Sequence, residues 1–343
     1  MKIYFQFYKK LLFLTAVSLL IFPGFVLSKS DSADFRDEDK FRIWEAVRIF
    51  NECGNKTWKS WDTAPFAILL VTNENEYLIY HNDPSEDFRK TGYDTITGSE
   101  IYTRPRQFSN NMLATFPAVK SVSTIVVGLP ENTGRQGTDW IITILHEHFH
   151  QMQSSHPEYY QAVESLDLAG DDKSGMWMLN YKFPYDDNNI ADNYNLLTQL
   201  AKKTYLSSDN SEFKNNLVEY LSEREKFKSL LDKKDYDYFS FQIWQEGIAR
   251  YTEIKIAECL KNINYNPPDE IKNLKDYITI DSFYVNIVNK LLKKADTQNL
   301  SENGRNCFYT LGALEGLILD RINPNWKDLY FSEKFYIEKY FGK

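Results

Sequence analysis

Between residues 141 and 152 the chain carries Ile141, Ile142, Ile144, Leu145, Phe149 and Met152, which fall on nearly every side of a helix. A helix apolar on one stripe lies at a surface, whereas one apolar most of the way round is buried. The pattern therefore predicts a buried helix, capped by Thr138 or Asp139, with Trp140 in its first turn. Upstream, Phe41, Trp44, Val47 and Phe50 repeat at helical spacing, and Gly54 is placed to end that helix. Phe66–Thr72 and Tyr77–His81 are β-rich runs around Asn73-Glu74-Asn75-Glu76 and predict a hairpin. Ser121–Leu129 predicts a further strand, closed by Pro130. Residues 29–38 are polar and predict a loose linker. Residues 82–112, mixed in Pro, Gly, Asp, Ser and Asn, predict irregular loop. After Pro157 helical patterning dominates, over 158–168, 189–206, 211–233, 237–260, 281–294, 306–321 and 332–341. It is interrupted by an aromatic-rich loop, Met176–Tyr185.

This order predicts an α+β fold. A mixed, strand-containing N-terminal lobe precedes a mostly helical C-terminal lobe, with the buried helix between them. The expected organisation is one unit over 29–343, divided into a strand-rich part (38–137), the junction helix (138–156) and a helical part (157–343). Residues 1–28 have the pattern of an export signal. Lys2, Lys9 and Lys10 precede an apolar run from Leu11 to Phe22, and Val26-Leu27-Ser28 suits cleavage. The run is shorter than the roughly 20 residues of a membrane span, and Pro23-Gly24 interrupts it. The expectation is an exported protein, secreted or periplasmic, without stable membrane insertion of the mature chain, and a monomer.

Charge and cysteines narrow the classes. The formal charge is −8, and losing residues 1–28 removes three lysines and no acid. No basic stripe is present, so nucleic acid is not an expected partner. Cys53, Cys259 and Cys307 allow at most one intramolecular disulfide, and no C-x-x-C pair exists to build a cysteine zinc site. With 23 Phe, 23 Tyr and 7 Trp the chain has the aromatic mass for a sizeable core.

The buried helix also carries chemistry. Of five histidines, four are His146, His148, His150 and His156, and His146-Glu147-x-x-His150 is an H-E-x-x-H run. Residues four apart share a helix face, so both imidazoles can reach one metal ion. Glu147, about 100° around the helix from His146, is placed to handle the proton of an attacking water. His148, roughly 200° around, faces elsewhere. A catalytic zinc takes three protein ligands, and two residues compete for the third place. Glu246 lies in Phe241-Gln242-Ile243-Trp244-Gln245-Glu246-Gly247-Ile248-Ala249-Arg250-Tyr251, a helical run in which Gly247 permits close helix approach. His156 sits at the spacing of the metzincin third histidine, but Gln153 stands where that pattern has glycine. A left-handed glutamine there costs roughly 1 kcal/mol.

His146-Glu147-x-x-His150 with the downstream Glu246-Gly247-x-Ala249-x-Tyr251 resembles the gluzincin metallopeptidases. The resemblance is confined to these motifs and to Tyr309-Thr310-Leu311-Gly312 in a late helix. It implies a zincin-like fold, Zn2+ held by His146, His150 and Glu246, Glu147 as general base, and Tyr309 by analogy as oxyanion stabiliser. It further implies a peptide or protein substrate, paired against the strand Ser121–Gly128. The long gap from His150 to Glu246 departs from compact gluzincins, and no G-x-M-E-N strand is present to grip a free amino terminus. Two other readings stand beside it. One is a metzincin-type protease using His156. The other is a non-catalytic zincin-fold binding protein contacting its partner through residues 176–185.

Overall fold

A computed structural model describes residues 34–172 and 174–342. The export segment expected at 1–28 lies outside the described residues. The architecture is α+β, with a mixed sheet on the N-terminal side and helices over most of the remainder. The strands are β1 (Ile68–Val71), β2 (Asn75–Ile79), β3 (Arg89–Asp94), β4 (Ser99–Pro105), β5 (Leu113–Val119) and β6 (Val122–Gly128), in the order β3-β4-β2-β1-β6-β5. β1 and β6 run parallel and the other neighbours antiparallel.

The longer helices are α1 (Asp37–Thr57), α2 (Gly137–Ser155), α3 (Asn188–Leu206), α4 (Asn210–Leu230), α5 (Lys233–Gln242), α6 (Ile248–Asn262), α7 (Ile280–Thr297) and α8 (Asn306–Ile322). A π-helical turn, Ile243–Gly247, joins α5 to α6 without a break.

The sheet is buried on both faces at its centre, which explains the unbroken apolar run of β1. Ile68, Leu70, Tyr77, Ile79, Ile125 and Val127 face the helices and join the main core. Leu69, Val71, Leu78 and Val126 face the other way into a smaller core with Phe88 and Val119. The hairpin at Asn73–Glu76 forms as expected, with Ile68 opposite Ile79.

Three expectations are corrected. Residues 82–112 hold β3 and β4 rather than irregular loop. β3 is an outer strand with mostly exposed residues, so it lacks the apolar alternation that betrays a strand. The linker expected over 29–38 already contains the start of α1, and that helix runs past Gly54 to Thr57. Neither Thr138 nor Asp139 caps α2. The Gly137 N–H instead donates to Asp276 Oδ2 at 2.7 Å, Thr138 donates to the Ile278 carbonyl, and Asp139 pairs with Arg135. The cap comes from a distant loop, which local sequence does not display.

α2 packs on β5 and β6 on one side and on α6 and α1 on the other. Cys53 of α1 and Cys259 of α6 form a disulfide with a Cα–Cα distance of 6.0 Å, and Cys307 is a buried free thiol. Among the described residues no helix is long and apolar enough to cross a membrane.

Candidate metal centre

On α2 the spacing of four sets His146 and His150 side by side, with Nε2 atoms 3.1 Å apart. Glu246, in the π turn, brings Oε2 to 3.7 Å from His146 Nε2 and 3.5 Å from His150 Nε2. All three residues are buried or nearly so. An ion with bonds of about 2.0–2.1 Å in tetrahedral geometry requires ligand atoms roughly 3.3–3.5 Å apart. The three observed edges bracket that value, and the nitrogen–nitrogen–carboxylate set is a borderline donor set suited to first-row metals. The His146–His150–Glu246 group can therefore hold a metal ion.

Each donor is steered from behind. His146 Nδ1 lies 2.7 Å from Glu253 Oε1, which leaves Nε2 facing the site. Arg250 pairs with the other oxygen of Glu253. His150 Nδ1 faces Gln153 Oε1 at 2.6 Å, closer than the Gln245 amide at 3.1 Å. Gln153 is wholly buried, and its Nε2 donates to the Trp244 and Gln245 carbonyls and to Tyr330 Oη. A π turn shifts the i→i−4 ladder and leaves carbonyls without helical partners. Here Gln153 and the Tyr330 hydroxyl, 2.6 Å from the Trp244 carbonyl, satisfy them. The glutamine at the metzincin glycine position thus fixes both His150 and the turn that carries Glu246.

The electrostatics follow from this packing. Burial opposes a charge on His146, but Glu246, Glu253 and Glu147 outweigh it and raise the imidazole to about 9. Burial likewise opposes ionisation of Glu253, yet Arg250 and His146 hold it at about 2. Glu246, also against its burial, is held well below the usual carboxylate range by His150 and His146.

The remaining expected residues separate clearly. The Glu147 carboxylate turns toward β5, where Thr115 Oγ1 lies 2.8 Å from Oε2 and 2.9 Å from the Glu147 carbonyl. Tyr309, on α8, lies against Glu246, and burial followed by the Glu246 charge raises its phenol well above the usual range. Arg305, one turn earlier, donates to Tyr309 Oη and stands 3.7 Å from Glu246 Oε1. His148 packs among Phe50, Trp61 and Phe66 and faces the Gln151 amide oxygen at 2.8 Å, away from the donors. His156 stacks on Phe331 with ring centroids 4.9 Å apart and is outside the three-residue group.

Two further expectations change. Gly247 does serve a close approach, but toward α8: a Cβ there would come 2.6 Å from the Gly312 Cα. β6 has β1 and β5 on its two sides and offers no free edge for an extended substrate; the edge strand beside Glu147 is β5. The sequence reading missed Glu253, Gln153, Thr115 and Arg305. Glu253 had a signal, since it follows Glu246 by seven residues, two helical turns, on one face. In the segment 176–185, Trp177 and Phe183 point inward, and Met176 and Leu179 are exposed. Comparison with protein-family models, with curated proteins and with solved structures gives no match to this chain.

Proposed function

We propose that the protein is an exported zinc metallopeptidase of gluzincin type with a zincin-like fold. The observation that carries this reading is the convergence of His146, His150 and Glu246 to edges of 3.1–3.7 Å, with Glu147 adjacent and turned to an edge strand. Zinc bound by those three residues would supply Lewis acidity that polarises a peptide carbonyl and acidifies a water. Glu147 accepts the proton of the attacking water and passes it to the leaving amine. Thr115 holds Glu147 in place until the water is engaged. Tyr309, next to Glu246, offers a phenolic hydrogen to the developing oxyanion. An extended peptide adds to the open side of β5, whose Leu113–Phe116 stretch pairs with β6 on its other side. Pro117, which has no N–H to give, limits that pairing to the first half of the strand. The Cys53–Cys259 disulfide suits an oxidising, exported setting.

The test is metal analysis of the mature protein together with cleavage of casein and a peptide library. One equivalent of zinc, cleavage abolished by chelation, and a Glu147→Gln variant that keeps zinc while losing roughly 10²–10⁴-fold in kcat are expected. A zinc-free, inactive mature protein would instead favour a non-catalytic binding protein. Activity that survives both chelation and Glu147→Gln would refute the mechanism.

A further inference from the structure

The chain is acidic overall, at −8, yet cations from three elements stand near the carboxylates Glu246 and Glu253, and a fourth element brings Lys294 up to two of them. Arg135 precedes α2, Arg250 lies on α6 one turn beyond Glu246, Lys294 lies on α7, and Arg305 opens α8. The nearby acids are already committed. Glu253 serves His146 and Arg250, Asp139 serves Arg135, and Glu246 Oε2 faces the two histidines.

Two cations are left over. Lys294 is half-buried, makes no ion pair among the described residues, and has Arg250, Lys290 and Arg135 as its charged neighbours. Burial and that company hold its ammonium below the ordinary range. Arg305 has one carboxylate near it among the described residues, Glu246, whose nearer oxygen is 3.7 Å away. Once Glu246 Oε2 is committed to a metal ion, Oε1 at 3.7 Å is the sole, weakened carboxylate partner of Arg305 among the described residues. Its side chain is 23% exposed, with Tyr309, Tyr185 and Tyr238 around it. A partly desolvated guanidinium with so weak a partner gains from a closer anion, and its planar fork matches a carboxylate in two-pronged geometry.

The geometry points to Arg305 as the residue that selects substrates carrying a carboxylate beside the scissile bond. This inference rests on the peptidase reading of the same site. The carboxylate can be an acidic side chain or the α-carboxylate of a free C-terminus, since the recognising chemistry is shared.

The test uses three dansyl peptides of one length: a C-terminally amidated peptide containing Gln, its Glu counterpart, and the Gln peptide with a free C-terminus. Binding to the zinc-loaded Glu147→Gln protein is followed by fluorescence anisotropy. The expected result is binding at least about tenfold tighter for one or both carboxylate peptides, the value of one charge-assisted hydrogen bond. Arg305→Gln removes that advantage and Arg305→Lys keeps part of it, while unchanged zinc content and circular dichroism of both variants report intact folding. Equal binding of all three peptides, an advantage that survives Arg305→Gln, or no binding of any would overturn the inference. Peptides bound through Arg305 but never cleaved by the protein with Glu147 intact would leave the carboxylate subsite standing and overturn the peptidase reading.

Discussion

Gly247 and Gly312 meet backbone to backbone: a methyl group built on Gly312 would lie 2.7 Å from the Gly247 Cα and 2.9 Å from the Ile243 carbonyl oxygen. Both contacts are with main chain, which has no rotamer through which to yield. Gly312→Ala should therefore force α8 away from the π turn and cost roughly 1–3 kcal/mol, as overpacking does elsewhere. Thermal unfolding and zinc titration of the variant check this. An unchanged melting temperature with unchanged zinc affinity would show that the contact is slack.

The clamp made by Gln153 predicts a second effect. Gln153→Ala removes the nearer partner of His150 Nδ1, leaving it the Gln245 amide, and removes the partner of the Gln245 carbonyl, while the Trp244 carbonyl keeps the Tyr330 hydroxyl. Metal affinity should fall about 10–100-fold, the usual cost of losing a group that orients a ligand. Competition with a zinc-chelating dye measures it. Glu253→Gln should fall in the same range through His146. Full affinity in both variants would mean that the donors are held by packing alone.

His148 sets a pH dependence apart from the metal. Its neutral imidazole is buried among aromatic rings, and burial depresses it to about 3. The unfolded chain therefore takes up the proton first as pH falls below the ordinary value near 6.5. Stability from this group is complete above that pH and is lost as pH falls toward 3. At pH 5 the loss is roughly 2 kcal/mol. Denaturant melts of the parent and of His148→Phe at pH 5 and pH 7 isolate the contribution, because the variant lacks this slope. Parallel pH profiles for the two proteins would contradict the assignment.

The Cys53–Cys259 bridge closes a sequence separation of 206 residues. In the chain-entropy picture such a long loop contributes about 5 kcal/mol, and loss of a native bridge in practice costs roughly 2–5 kcal/mol. Cys259→Ser, or reduction under native conditions, should lower the denaturation midpoint by a corresponding amount. Mass spectrometry of the mature protein should find Cys307 as the free thiol. An unaltered midpoint after confirmed reduction would show that the reduced chain is equally constrained.

Local patterns exposed some of this arrangement and concealed the rest. His146, His150 and Glu246 stood out because helical spacing and motif chemistry act within a few residues of one another. The β1–β2 hairpin and the buried α2 were legible for the same reason. β3 and β4 were not, since Arg89–Asp94 is largely solvent-facing and the segment around it is rich in turn formers. The Asp276 cap on Gly137, the pairing of β5 with β6 and the service of Gln153 to the π turn are all long-range. Each depends on where the chain returns in space. Gln153 is the clearest case: read along the chain it was a flawed glycine, whereas in the fold it is a strut.

The late arrival of Glu246 has a consequence for biogenesis. His146 and His150 emerge with the sheet, but the third donor lies on a helix built much later in the chain and tied by Cys259 back to α1. No shorter nascent or clipped chain that ends before this helix holds the full donor set. Tight metal uptake would therefore report that the two halves of the chain have met.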